Sequence, residues 1–136
     1  MAPKLPSILL VDDEKDFLDI FSTKLSSSGF EIIRASSGAE ALERLKEFKP
    51  DLILLDVNMP EINGTEVLSQ IKSNPENANL KIVFLTSLGE PLPAKELLKN
   101  DQKFAQESGA IDYIQKSDDL DNIVKKVKEI LTRNKI

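Results

Sequence analysis

The sequence predicts an α/β fold, a five-stranded parallel sheet doubly wound with helices on both faces. Three observations predict it. Short runs that are apolar at every position recur along the chain, as strands buried on both faces require. Segments with apolar residues at helical spacing separate those runs. Glycine, proline and capping residues fall at the junctions.

Ile8-Leu9-Leu10-Val11 is the first run. After it, Phe17, Leu18, Phe21 and Leu25 lie on one helical face, and Gly29 is a natural stop. The stretch from Phe30 to Ile33 reads as the second strand. Ser37 then opens a capping box with Glu40, and the helix it starts presents Ala41, Leu42, Leu45 and Phe48 before Pro50 ends it. Leu52-Ile53-Leu54-Leu55 is the third strand. A loop with Pro60 and Gly64 leads to a helix carrying Val67, Leu68 and Ile71, closed by Asn74-Pro75. Lys81 to Leu85 is the fourth strand. A loop from Gly89 to Pro93 and a thinly patterned helical stretch follow, ending near Gly109. Ile111 to Ile114 is the fifth strand. The last helix is capped by Asp118 or Asp119 and carries the apolar stripe Leu120, Ile123, Val124, Val127, Ile130 and Leu131. Strands alternating with helices require parallel pairing, and right-handed crossovers leave few ways to wind it.

The 136 residues fit one domain, expected over 7–136 behind a flexible tail, 1–6, that holds two prolines. Apolar residues make up 40% of the chain, enough for a core, and 18 basic against 23 acidic residues give a formal charge of −5. That balance disfavours binding to nucleic acid through its phosphates and to an anionic membrane surface. No apolar run approaches the roughly 20 residues of a membrane helix, and the start lacks a signal-peptide core, so a cytoplasmic location is expected. The chain holds no cysteine and no histidine. Disulfides, thiolate sites, Ser–His catalysis and histidine–metal sites are thereby excluded.

Ligands of open α/β sheets bind at the carboxyl ends of the strands. Polar residues stand at four such ends: Asp12 and Asp13 after the first strand, Asp56 after the third, Thr86 and Ser87 after the fourth, Lys116 after the fifth. Taken singly, each has a plain alternative. The aspartates fit helix caps or turns, Thr86 a strand residue, Lys116 a solvated lysine. Taken together, they converge on one cleft. Three carboxylates there repel one another, and a hard divalent cation relieves the repulsion. An oxygen-only ligand set suits magnesium. A carboxylate beside such a cation can act as a nucleophile toward a phosphoryl group, with positive charge stabilising the transfer.

These residues resemble the receiver domain of two-component response regulators. The resemblance runs through Val11-Asp12-Asp13-Glu14, Leu55-Asp56-Val57-Asn58-Met59-Pro60 with Gly64, Leu85-Thr86-Ser87, and Gly109 to Lys116. It implies a flavodoxin-like sheet of strand order 2-1-3-4-5. It implies that Asp56 accepts a phosphoryl group from a histidine kinase or histidine phosphotransfer protein. It also implies that Asp13, Asp56 and the backbone carbonyl of Asn58 bind Mg2+, with Asp12 helping through water, and that Lys116 pairs with the phosphoryl group. Thr86 would move to bond that group and Tyr113 would swing inward. The surface around the fourth and fifth strands and the helices after them would change shape for a downstream protein. A relay of this kind is not a turnover enzyme, and a monomer or weak dimer is expected.

Two features depart from the family pattern. Ser117 follows Lys116 where proline with a cis bond is usual, so the Lys116–Ser117 peptide is expected to be trans. The segment 89–108 is longer than usual and reads as a surface insertion or an output surface. Three other readings compete. A small Mg-dependent aspartyl-phosphate phosphohydrolase would want an acid at position 58, which is Asn58. A flavodoxin-like cofactor carrier would want a Gly/Ser/Thr-rich loop in place of Asp12-Asp13-Glu14. A receiver-like scaffold that is never phosphorylated would not need the intact set.

Overall fold

A computed structural model of the chain describes residues 5–56, 64–77, 79–86, 110–116 and 119–133. The expectations for the Asn58 carbonyl, the Lys116–Ser117 peptide, and the segment 89–108 lie outside the described residues, as does the side chain of Tyr113.

The strands are β1 (Ser7–Val11), β2 (Glu31–Ala35), β3 (Leu52–Asp56), β4 (Ile82–Thr86) and β5 (Ala110–Gln115). They pair in parallel in the order β2-β1-β3-β4-β5, as the sequence resemblance implies. The helices are α1 (Lys15–Ser27), α2 (Gly38–Glu47), α3 (Gly64–Ser73) and α4 (Leu120–Arg133), with a 3-10 turn at Pro75–Asn77.

The alternation of side chains along each strand divides the core in two. Ile8, Leu10, Leu52, Leu54, Val83, Leu85 and Ile114 face α1 and α4. Leu9, Val11, Ala35, Ile53, Leu55, Ile82 and Phe84 face α2 and α3. β1, β3 and β4 are buried along their whole lengths, which is why their sequences are apolar without alternation. β2 is one of the two edge strands, and its first four residues are only partly covered.

The junctions follow from local chemistry. At the end of α1 the chain turns through Gly29 at φ 101, where a side chain would be strained, and the Gly29 N–H donates to the Ser26 carbonyl at 3.3 Å. The Ser37 hydroxyl caps α2 by accepting the Glu40 N–H at 3.0 Å. The Glu40 carboxylate reaches past Ser37 to the N–H of Ser36 at 2.6 Å, so the box closes one residue further back than predicted. That bond is the main reason the carboxyl sits below the usual glutamate range. Asp119 caps α4, accepting the Asp121 N–H at 2.7 Å.

One core assignment is corrected. Phe48 does not share the buried face of α2. The helix stops at Glu47, Phe48 takes extended dihedrals as its C-cap, and its side chain turns outward, 41% exposed. Among the described residues, no helix is long and apolar enough to cross a membrane.

Candidate functional site

β1 and β3 are neighbours, and each ends in a carboxylate. The Asp12 N–H donates to the Ala35 carbonyl at 3.1 Å, carrying the β1–β2 ladder one residue past Val11. Asp12 is therefore held at the rim of the sheet, 0% exposed. Asp56 is the last residue of β3, pairs in register with Leu85, and is 2% exposed. Asp13, one residue beyond Asp12, is exposed. One carboxylate oxygen from each of Asp12, Asp13 and Asp56 lies within 4.8 Å of the others.

The capping alternative for Asp12 and Asp13 does not describe α1. Its N-cap is Glu14, which makes no side-chain cap bond, and the Leu18 N–H donates to the Glu14 carbonyl at 3.0 Å. Asp12 instead accepts the Glu14 N–H on Oδ1 at 2.9 Å, a turn that aims its second oxygen into the cleft.

Lys116 arrives from the other side. Thr86 pairs with Gln115 in the β4–β5 ladder, and the Lys116 N–H donates to the Thr86 carbonyl at 2.6 Å. This places the lysine stem at the mouth of the same cleft, with its side chain 7% exposed. Its Nζ lies 2.7 Å from Asp12 Oδ2, 2.5 Å from Glu14 Oε1 and 3.6 Å from Asp56 Oδ2. It also sits 4.5 Å from the centre of the Phe17 ring. The contact with Asp12 Oδ2 is close, but it lacks hydrogen-bond alignment, so that buried oxygen has a charge partner and no directed donor.

The electrostatics follow. Burial raises the Asp12 pKa, and the Lys116 ammonium and Glu14 N–H only partly reverse this. For Lys116, burial works against the charged form, but contacts with Asp12 and Glu14 and the field of Asp56 outweigh it. The ammonium is held above the ordinary lysine range. One ammonium shared among carboxylates leaves the cleft electron-rich. The donor set is all oxygen, close-set, and includes one buried oxygen without a directed donor. This fits a small hard divalent cation.

Of the residues picked out by sequence, the structure brings Asp12, Asp13, Asp56 and Lys116 together. Thr86 stands at the end of β4, 3% exposed, and Tyr113 pairs in register with Phe84. Two contacts were not foreseen, Glu14 and Phe17 on Lys116. The sequence presents Phe17 as a core residue and Glu14 as part of an acidic motif. The available signal was their spacing, which puts both in the first turn of a helix that starts at the cleft.

Comparison with known proteins places this geometry. The response regulator receiver domain pattern matches residues 8–128. The polar-differentiation response regulator DivK of Brucella ovis is 30% identical over 125 residues, covering 92% of this chain and 95% of that protein. A probable cyclic di-GMP phosphodiesterase of Vibrio cholerae is 39% identical over 108 residues, but the chain spans only 22% of that protein's length. The crystal structure of a response regulator from Chloroflexus aurantiacus superposes with a TM-score of 0.80 at 32% identity, covering 96% of this chain and all of that one.

Proposed function

We propose a phosphoacceptor function from one premise: the chain belongs to the response regulator receiver domain family. In this reading Asp56 accepts a phosphoryl group from a phosphohistidine on a histidine kinase or phosphotransfer protein. A protein-binding surface switches in consequence, within a cytoplasmic two-component relay. The observation that carries the reading is the convergence of three carboxylates and one ammonium at the ends of three strands.

Each residue has a part. An Asp56 oxygen attacks phosphorus, a P–O bond forms, and the P–N bond to the donor imidazole breaks with its electron pair left on nitrogen. The low exposure of Asp56 keeps water from competing at that oxygen. Lys116, 3.6 Å away, is placed to meet the added negative charge. Asp12, Asp13 and Asp56, with the Asn58 carbonyl, would hold Mg2+, which supplies charge neutralisation when bound. Thr86 lies beside this point on the neighbouring strand, and its hydroxyl is proposed to bond the phosphoryl group while Tyr113 repacks. Receiver domains are signalling domains. The phosphodiesterase named above carries a receiver-like stretch within a far longer protein.

Incubation with acetyl phosphate and Mg2+, followed by intact-mass measurement, tests the reading. One added phosphoryl group is expected, and Asp56→Asn abolishes it. No addition, or an addition that survives in Asp56→Asn, overturns the assignment. Asp13→Ala is expected to weaken Mg2+ binding sharply in calorimetric titration, and an unchanged affinity removes Asp13 from the ligand set.

A further inference from the structure

Lys116 has more anionic partners than one ammonium needs. Asp12 and Asp56 already face it from the sheet. The shortest contact nevertheless comes from Glu14, a residue 102 positions away whose own side chain is 62% exposed. An exposed glutamate gains little by ordering itself around a lysine. This one is ordered by its position. It is the N-cap of α1, its N–H is tied to Asp12 Oδ1, and the first turn of the helix presents the Phe17 ring to the same ammonium. The first turn of α1 therefore grips Lys116 by charge and by an aromatic face. In the sequence Ser117, not a ring-fixed proline, follows the lysine.

The charges give this grip a consequence. Among the described residues, Asp12, Glu14 and Asp56 face the Lys116 ammonium and Asp13 joins the carboxylate cluster, so acidic groups outnumber the ammonium. A divalent cation would be held by the aspartates, and Glu14 is the member of the set outside that cluster. An anionic group on Asp56 then competes with Glu14 for the same lysine.

We propose that Glu14 is a positioning residue for Lys116: its carboxylate tethers the ammonium on the α1 side of the cleft and sets how readily it reaches an anionic group carried by Asp56. This rests on the phosphoacceptor reading for its consequence, but the tether itself belongs to the metal-free protein and is testable there. In lysine-labelled protein without metal, the Lys116 side-chain NMR resonance is expected to shift in Glu14→Gln and in Glu14→Asp, whose shorter arm withdraws the charge. A surface control, Glu43→Gln, should leave it unmoved. An unmoved Lys116 resonance in both Glu14 variants overturns the tether.

The second arm uses beryllium fluoride with Mg2+, an anionic stand-in for a phosphoryl group. Release of an exposed ion pair predicts binding about two- to fivefold tighter in both Glu14 variants. The gain should vanish in a Lys116→Ala background, as coupling through the lysine requires. If Glu14→Asp binds like the parent while Glu14→Gln binds more tightly, net charge at the mouth is the cause and the proposal fails. It fails too if the gain persists without Lys116. Should the parent protein bind no beryllium fluoride, the phosphoacceptor reading falls on that result, and the resonance of Lys116 still decides the tether.

Discussion

Replacing Lys116 with alanine leaves Asp12 fully buried and takes away the ammonium 2.7 Å from its Oδ2. Removing one partner of a buried ion pair costs about 3–5 kcal/mol when the other is left with nothing. Asp12 keeps the Glu14 N–H on Oδ1, and the cleft opens toward exposed Asp13, so water can reach part of the site. The expected loss is therefore about 2–3 kcal/mol at pH 7 in metal-free buffer. Urea unfolding followed by circular dichroism measures it, with an unchanged slope showing that the two states compared are the same. Its pH dependence has a definite sign. Burial raises the Asp12 pKa and Lys116 lowers it, so removing Lys116 raises it further. A carboxyl whose folded pKa exceeds its unfolded value contributes stability below the unfolded value and loses it as pH rises through the folded one. The deficit should thus be smallest near the unfolded aspartate value of about 3.9 and grow toward neutrality. Mg2+ should restore the variant by more than it stabilises the parent, because the variant's site is more negative; about 2.7 kcal/mol is available at a hundredfold excess over Kd. A deficit under about 0.5 kcal/mol at pH 7, the size of an ordinary surface change, would refute the compensation argument. So would a deficit that does not change with pH.

Three further predictions concern the scaffold. Leu54→Ala, in the middle of β3 and fully buried against the α1/α4 layer, should cost about 3–5 kcal/mol in the same assay, since the central strand cannot collapse into the void. Ser37→Ala should cost about 1 kcal/mol by freeing the Glu40 N–H. Glu40→Gln should lose stability only at higher pH: the depressed Glu40 pKa gives stability above the unfolded value that disappears as pH falls through the folded one. A pH-independent loss in Glu40→Gln would point to shape and not charge.

The centre of the sheet was legible because β1, β3 and β4 are buried along their lengths, which leaves an unbroken apolar run that few other structures produce. The ends of those strands were less so. β3 and β4 run one residue further than their apolar letters, through Asp56 and Thr86, because ladder pairing continues into polar residues that the cleft needs. β2 starts after Phe30, whose N–H is spent on the Leu25 carbonyl at 3.3 Å in closing α1. Phe48 misled for a related reason: its helical spacing is correct, but the helix ends before it. Chain order at strand ends sufficed for Asp12, Asp13, Asp56 and Lys116. Glu14 and Phe17 were less legible as partners of Lys116: their spacing puts them at the start of a helix that begins at the cleft, but neither stands at a strand end.

The placement of Asp12 and Asp56 ties stability to ligand occupancy. β1 and β3 are adjacent, in register from Ile8 with Leu52 to Val11 with Leu55, and both remain covered where their carboxylates begin. An apolar residue at either position would extend the core at no electrostatic cost. A carboxylate there costs several kcal/mol unless paired, and the Lys116 ammonium lies 2.7 Å from Asp12 and 3.6 Å from Asp56. The folded state therefore gathers buried carboxylates at one rim, set against two apolar layers that can carry their burial. Any cation that binds this rim only when the carboxylates are assembled must stabilise the fold by mass action. The rise in unfolding free energy with divalent cation concentration thus reports directly on the cleft, and Asp13→Ala should flatten that rise while leaving the cation-free stability nearly unchanged, since Asp13 is exposed and contributes to the site without burdening the core.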